Sequence, residues 1–244
     1  MSNFINYKNA QIHFTDNGKG KVVLLLHGFL ENSSMWSNLI PHLTKTHRVL
    51  CVDLLGHGKS DSLGYVHTME AMANAVTAVL DYLKIKSVII VGHSMGGYVG
   101  LALLNLSPDV ITGFCLLNST AVEDSIIKKN NRDRAINAVK SDYKIFVSFS
   151  IANLFSSESR ILHKEAYQNV KTEALKTPLQ SIVASLEGMK IRKDRLELFK
   201  NSNIPKLVII GKNDQILDYK LQHSYYKNSD IQLVEFHDGH MSHI

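Results

Sequence analysis

A serine, a carboxylate and a histidine are the parts of a nucleophilic catalyst. This chain carries them in the order Ser94, Asp214, His240. A serine hydroxyl is a weak nucleophile at neutral pH and needs a base. That base is usually a histidine oriented by a buried carboxylate. Ser94 sits in Gly92-His93-Ser94-Met95-Gly96, after the apolar run Val88–Val91 and before Val99, Ala102, Leu103 and Leu106 at helical spacing. Strand, sharp turn and helix are the context that exposes such a serine at the end of a sheet. A tight turn brings backbone segments together, so a Cβ at position 92 or 96 would clash. The helix that follows leaves unpaired N–H groups aimed at whatever Ser94 attacks.

The chain has 12 histidines, so the base must be chosen. His240 follows Gly239 after the last predicted strand, in a loop able to reach back over the sheet. His237 lies at the strand end, and His243 is nearly terminal. Asp214 follows a strand and a glycine turn, whereas Asp218 reads as a helix cap. Asp238 is too near His240 in sequence to orient it. The spacing His237-x-x-His240-x-x-His243 raises a metal site, but no helix is evident there to converge three ligands on one point. No metal or cofactor is assigned. Two N–H donors are needed for an oxyanion. Met95 N–H, just after the nucleophile, is one. The loop His27-Gly28-Phe29-Leu30 offers Phe29 N–H as the second. Gly56-His57-Gly58-Lys59-Ser60 reads as a supporting loop and Trp36 as core.

These residues must be held by a sheet. Residues 4–16 suggest a hairpin, and Asn17-Gly18-Lys19-Gly20 a turn. Val22–Leu26 is an apolar run of the kind buried on both faces of a parallel sheet. Further strands are expected at Arg48–Asp53, Ser87–Val91, Gly113–Asn118, Lys206–Ile210 and Ile231–Phe236. Ser33 or Ser34 is expected to cap a helix with Trp36, Leu39, Ile40 and Leu43 on one face. Thr68 is expected to cap a helix with Met69, Met72, Val76, Val79 and Leu83 turned to the core. Another helix is expected through Leu221 and Tyr225. From about Thr120 to Asn203 the pattern is mostly helical. Strands alternating with helices predict an α/β fold, a doubly wound, mostly parallel sheet. His27, Asp53, Ser94, Asp214 and His240 then all fall at the carboxyl ends of strands, where such sheets bind ligands.

The composition is ordinary for a soluble globular protein. Of 244 residues, 45% are hydrophobic and 20% charged, and the net charge is +5. The basic residues are scattered, with no arginine-rich arm, which argues against a nucleic-acid partner. No run of about 18 apolar residues suggests a membrane span. No apolar segment follows a basic start, so no secretory signal is expected. Cys51 and Cys115 fall in predicted core strands as free thiols, which suits a cytoplasmic location.

Together, His27-Gly28-Phe29, Asp53-x-x-Gly56-His57-Gly58-x-Ser60, Gly92-His93-Ser94-Met95-Gly96-Gly97, Gly211-x-x-Asp214 and Gly239-His240 resemble the α/β-hydrolase fold superfamily. The similarity is to its small, cap-bearing esterases and C–C bond or lactone hydrolases. It implies a core of residues 1–119 and 204–244, with 120–203 a helical cap inserted over the site. It also implies that two strands separate Cys51 from Cys115. Family members usually continue past the histidine into a final helix, whereas this chain ends at Ile244. The expected activity is cleavage of a small or medium, partly apolar carboxylic ester through an acyl-enzyme. Alternatives are C–C bond (meta-cleavage product) or enol-lactone hydrolysis, thioester hydrolysis, a non-catalytic ligand-binding role, and cofactor-free perhydrolysis. A C–C hydrolase would also want a cation for a substrate carboxylate, with Arg132, Arg134, Arg160, Arg192 and Arg195 available. A serine at 94 excludes the relatives that use aspartate there. The expected partner is a small acyl substrate.

Overall fold

A computed structural model describes residues 2–227 and 229–244. Its strands are β1 (Ser2–Tyr7), β2 (Ala10–Gly18), β3 (Val22–Leu26), β4 (Arg48–Val52), β5 (Val88–His93), β6 (Ile111–Leu117), β7 (Lys206–Gly211) and β8 (Gln232–Phe236). They form one sheet in the order β1-β2-β4-β3-β5-β6-β7-β8. The β1–β2 hairpin pairs antiparallel, and β2 pairs antiparallel with β4. All remaining pairs are parallel. This is the mostly parallel α/β sheet that the alternation predicts. The hairpin turns at Lys8 and Asn9, both at positive φ.

The apolar runs are buried on both faces because their side chains alternate. Leu24 and Leu26 of β3 join the larger core, while Val23 and Leu25 join a second core with Trp36, Cys51 and Cys115. Both cysteines are free and buried. Strands β3 and β5 lie between β4, which holds Cys51, and β6, which holds Cys115.

The helices are α1 (Ile40–Leu43), α2 (Met69–Tyr82), α3 (Met95–Leu106), α4 (Ile126–Ser141), α5 (Tyr143–Ala152), α6 (Ser157–Leu162), α7 (Lys164–Ala174), α8 (Leu179–Lys190), α9 (Leu196–Asn201) and α10 (Tyr219–Tyr226). Thr68 caps α2 by accepting the Ala71 N–H, and Met69, Met72, Val76 and Val79 are buried, as the pattern predicts. Asp218 likewise caps α10. One cap differs from expectation. Asn32, not a serine, accepts the Ser34 N–H and starts a 3-10 turn over Ser33–Trp36. The asparagine side chain closes this turn locally, and Pro41 opens a separate single helical turn at α1.

Helices α4 to α9 fill the chain between β6 and β7. Among them α8 is pinned from below, where the His67 N–H donates to the Ala184 carbonyl at 2.9 Å. Gly188 of α8 passes so close that a Cβ would collide with the His67 carbonyl oxygen. Helix α9 packs on the sheet instead, with Phe199 edge-on to Phe114 of β6 at 5.5 Å. No helix among the described residues is long and apolar enough to cross a membrane.

Candidate active site

The turn between β5 and α3 places Ser94 at φ 49° and ψ −116°. A side-chain-bearing residue holds such a conformation only where its surroundings over-determine it. Here the Ser94 N–H donates to the Leu117 carbonyl at 3.1 Å. The Ser94 carbonyl accepts from the Gly97 N–H at 3.0 Å and the Ser119 hydroxyl at 2.7 Å. The glycines behave as the motif requires. A Cβ on Gly92 would sit 2.6 Å from Gly97 Cα, and one on Gly96 would collide with the Leu26 carbonyl oxygen. Both obstacles are backbone and cannot swing aside. Gly96→Ala is therefore expected to cost about 3 kcal/mol, read as a lower urea midpoint with an unchanged slope.

Ser94 Oγ lies 2.8 Å from His240 Nε2, and His240 Nδ1 lies 2.7 Å from Asp214 Oδ2. The three side chains form one hydrogen-bonded line. Asp214 Oδ1 accepts the N–H groups of Ile216 and Leu217 at 2.8 and 3.0 Å. With its other oxygen beside the ring, the carboxylate requires His240 to carry its proton on Nδ1 and leave Nε2 free to accept from Ser94. Burial alone would raise the Asp214 pKa. The neighbouring His240 and the two backbone donors outweigh it and hold the group below its ordinary value. The close approach of the β7 and His240 loops needs Gly211, where a Cβ would collide with the Gly239 carbonyl oxygen.

The other expected donors are nearby and unspent. Met95 is the first residue of α3, and Phe29 follows the β3 end. Neither backbone N–H makes a hydrogen bond among the described residues. Phe29, Ser94 and His240 line one cavity of about 500 Å³. Its lining is mixed: Tyr98 of α3, Leu217 after β7, and Ala135, Phe146, Leu186 and Met189 from α4, α5 and α8 supply apolar surface, and Lys128 and Arg132 of α4 supply charge.

The competing residues have other work. His27 donates from Nδ1 to the Gly28 carbonyl, and its Nε2 accepts the Leu54 N–H at 2.9 Å. Asp53 accepts from His13 at 2.7 Å and from the N–H groups of Ser33 and Lys59. It thereby ties the glycine-rich loop to the start of the chain. Asp238 accepts the Ser159 hydroxyl at 2.6 Å. His243 packs against His93 and Trp36, and burial pushes its pKa down to about 3. Of the five candidate arginines, Arg132 lines the cavity. Arg192 lies 4.2 Å over the Tyr98 ring, and Arg195 pairs with Glu70 at 2.6 Å.

Two supporting groups were not legible in the motifs. Asn118, at φ 43°, directly follows β6 and donates from Nδ2 to Asp214 Oδ2 and to the Gly239 carbonyl, each at 3.2 Å. Its only sequence signal is an asparagine at the carboxyl end of a strand. Glu31 and His93 form a buried pair behind the site, Oε2 to Nδ1 at 2.8 Å. Glu31 also accepts the Gly28 N–H at 2.7 Å, and His93 Nε2 donates to the His240 carbonyl at 2.9 Å. Both ring nitrogens of His93 face acceptors, so it carries two protons and a positive charge. Burial opposes that charge, but the Glu31 carboxylate outweighs it and raises the His93 pKa. Burial opposes the Glu31 charge as well, and His93 draws the carboxyl down to about 2.

A family model described as alpha/beta hydrolase fold matches residues 21–244. The chain belongs to the α/β-hydrolase fold family. A thermophilic esterase from Thermogutta terrifontis, whose structure was solved with malate bound, is 28% identical with a TM-score of 0.91. The match covers 99% of this chain and 92% of that one. A 2-hydroxy-6-oxo-6-(2'-aminophenyl)hexa-2,4-dienoic acid hydrolase from Metapseudomonas resinovorans is 23% identical over 235 residues, 92% of this chain and 79% of its own. An uncharacterized Mycobacterium tuberculosis protein is 34% identical over 109 residues, 45% of this chain. This α/β-hydrolase spans only 32% of the length of that relative.

Proposed function

We propose that this α/β-hydrolase is a serine hydrolase that cleaves small or medium carboxylic esters through an acyl-enzyme. The observation that carries the reading is the Ser94–His240–Asp214 line at 2.8 and 2.7 Å beside two unbonded N–H groups. In the proposed reaction His240 Nε2 takes the Ser94 proton as Oγ attacks the acyl carbon. Asp214 holds the imidazole in its tautomer and stabilises the imidazolium. The N–H groups of Phe29 and Met95 receive the oxyanion. The alcohol departs with the proton from His240. Water, deprotonated by the same nitrogen, then frees the acid and restores Ser94.

The helical segment 120–203 acts in this reading as a cap that shapes the acyl pocket. Its apolar side chains favour a partly apolar acyl group. The free thiols of Cys51 and Cys115 support a reducing compartment. The likeness to the Metapseudomonas hydrolase along most of both chains supports a second reading, cleavage of a C–C bond beside a carbonyl by the same residues.

The test pairs a fluorophosphonate probe with turnover of p-nitrophenyl acetate and butyrate, enol lactones and vinylogous diketones. The probe is expected to label Ser94 and to block turnover. Labelling without turnover of any ester, lactone or diketone would make the protein a ligand-binding homologue. Turnover that survives full labelling would remove Ser94 from the mechanism.

A further inference from the structure

We infer that the acyl pocket takes a substrate bearing a second, anionic group, a carboxylate, held by Lys128 with Arg132. This rests on the serine-hydrolase reading and adds the class of acid to it. Lys128 and Arg132 stand four residues apart on α4 and both line the cavity that holds Ser94. Residues at that spacing share a helix face. The charges around them do not balance. Asp124 is buried and gives one oxygen to Arg132 Nε and the other to Arg192, each at 2.7 Å. Three cations thus share one carboxylate, and it is Lys128 that is left over. The Lys128 ammonium makes no hydrogen bond or ion pair among the described residues; its backbone N–H donates to the Ser125 cap.

The acidic residue on the cavity wall is Glu31, and His93 already neutralises it. Lys128 is half-buried. Desolvation lowers its pKa, while Asp124 and Asp214 act on it electrostatically in the opposite sense. A desolvated ammonium without a partner is costly unless a ligand supplies the opposite charge. Arg132 uses only Nε on Asp124, which leaves its two terminal nitrogens unbonded. A guanidinium fork with free N–H groups matches the two oxygens of a carboxylate. A pocket of about 500 Å³ is of the size that takes a small molecule. The acyl part then reads as the half-ester of a small dicarboxylic acid, with the scissile carbonyl at Ser94 and the free carboxylate at α4.

The experiment compares kcat/KM for p-nitrophenyl hemiglutarate with that for p-nitrophenyl valerate, a neutral ester of equal chain length. The intact protein is expected to prefer the half-ester by about tenfold or more, with the difference mainly in KM. Lys128→Met is expected to lower that preference about tenfold, and Lys128→Arg to keep it. Glutarate should compete with substrate, and its monoamide should compete more weakly. A preference for the neutral ester, or an equal loss on both esters in Lys128→Met, would overturn the inference while leaving the hydrolase reading intact. Inorganic phosphate competing as well as glutarate would overturn the choice of carboxylate. Failure to hydrolyse either ester, with no label on Ser94, would count against the hydrolase reading itself.

Discussion

Ser94→Ala is expected to lower kcat on p-nitrophenyl butyrate by about a millionfold, and Asp214→Asn by about ten-thousandfold. The serine variant removes the proposed nucleophile, so no acyl-enzyme and no burst are expected. The aspartate variant is the more informative, because its effect follows from hydrogen-bond directions. Asp214 Oδ1 accepts two backbone N–H groups, from Ile216 and Leu217. An asparagine must keep its oxygen there, or bury two donors against its own amide. Its NH₂ group then occupies the place of Oδ2, facing His240 Nδ1 at the 2.7 Å contact. The amide donates, so Nδ1 must accept and the proton moves to Nε2. His240 then presents a donor to Ser94 and cannot take its proton. Single-turnover measurement of acylation separates this from slow deacylation. Acylation within tenfold of the unaltered rate would show that Asp214 is not the orienting acid.

The same residues show why some of the site was legible in the sequence and some was not. Ser94 announces itself because a strand, two close-packed glycines and a helix must surround it, and all are local. Chain order and position at strand ends point to Asp214 and His240. The hairpin, the central strands and the capping of α2 by Thr68 follow from short-range patterns as well. Glu31 gave no such signal. Its partner His93 is 62 residues away, and nothing in Phe29-Leu30-Glu31 reveals that a carboxylate there would be fully buried. Asn118 is 96 residues from Asp214. Lys128 sits among the exposed residues of α4, whose weak apolar pattern hides which face turns inward. Residues that act through a distant partner are visible only once the fold brings the partners together.

Glu31 and His93 make the prediction with the largest expected effect on stability. Their side chains are each 1% exposed. Removing one member of a buried ion pair leaves the other charge uncompensated, at about 3–5 kcal/mol. Glu31→Gln is expected to cost that much in urea unfolding at pH 5.5. The pH dependence follows from the two shifts. Glu31 has its pKa depressed from 4.5 to about 2. Its contribution is therefore present above pH 4.5 and is lost as pH falls through about 2. His93 has its pKa raised above 6.5. Its contribution is complete below pH 6.5 and is lost as pH rises through the higher folded value. The stability gap between the unaltered protein and Glu31→Gln should be widest between about pH 4.5 and 6.5 and should narrow in alkali. A gap that stays constant from pH 5.5 to 9 would show that the pair is not charged. The pair also holds the His240 backbone through the 2.9 Å bond from His93 Nε2, which separates its two roles. Replacing both residues, Glu31→Leu with His93→Leu, takes away both charges together and should recover much of the lost stability. It leaves the His240 carbonyl without its donor and the Gly28 N–H without its acceptor. The double variant should therefore fold yet show a lower kcat than the unaltered enzyme, with little change in KM. Recovery of both stability and kcat would assign the pair to folding alone.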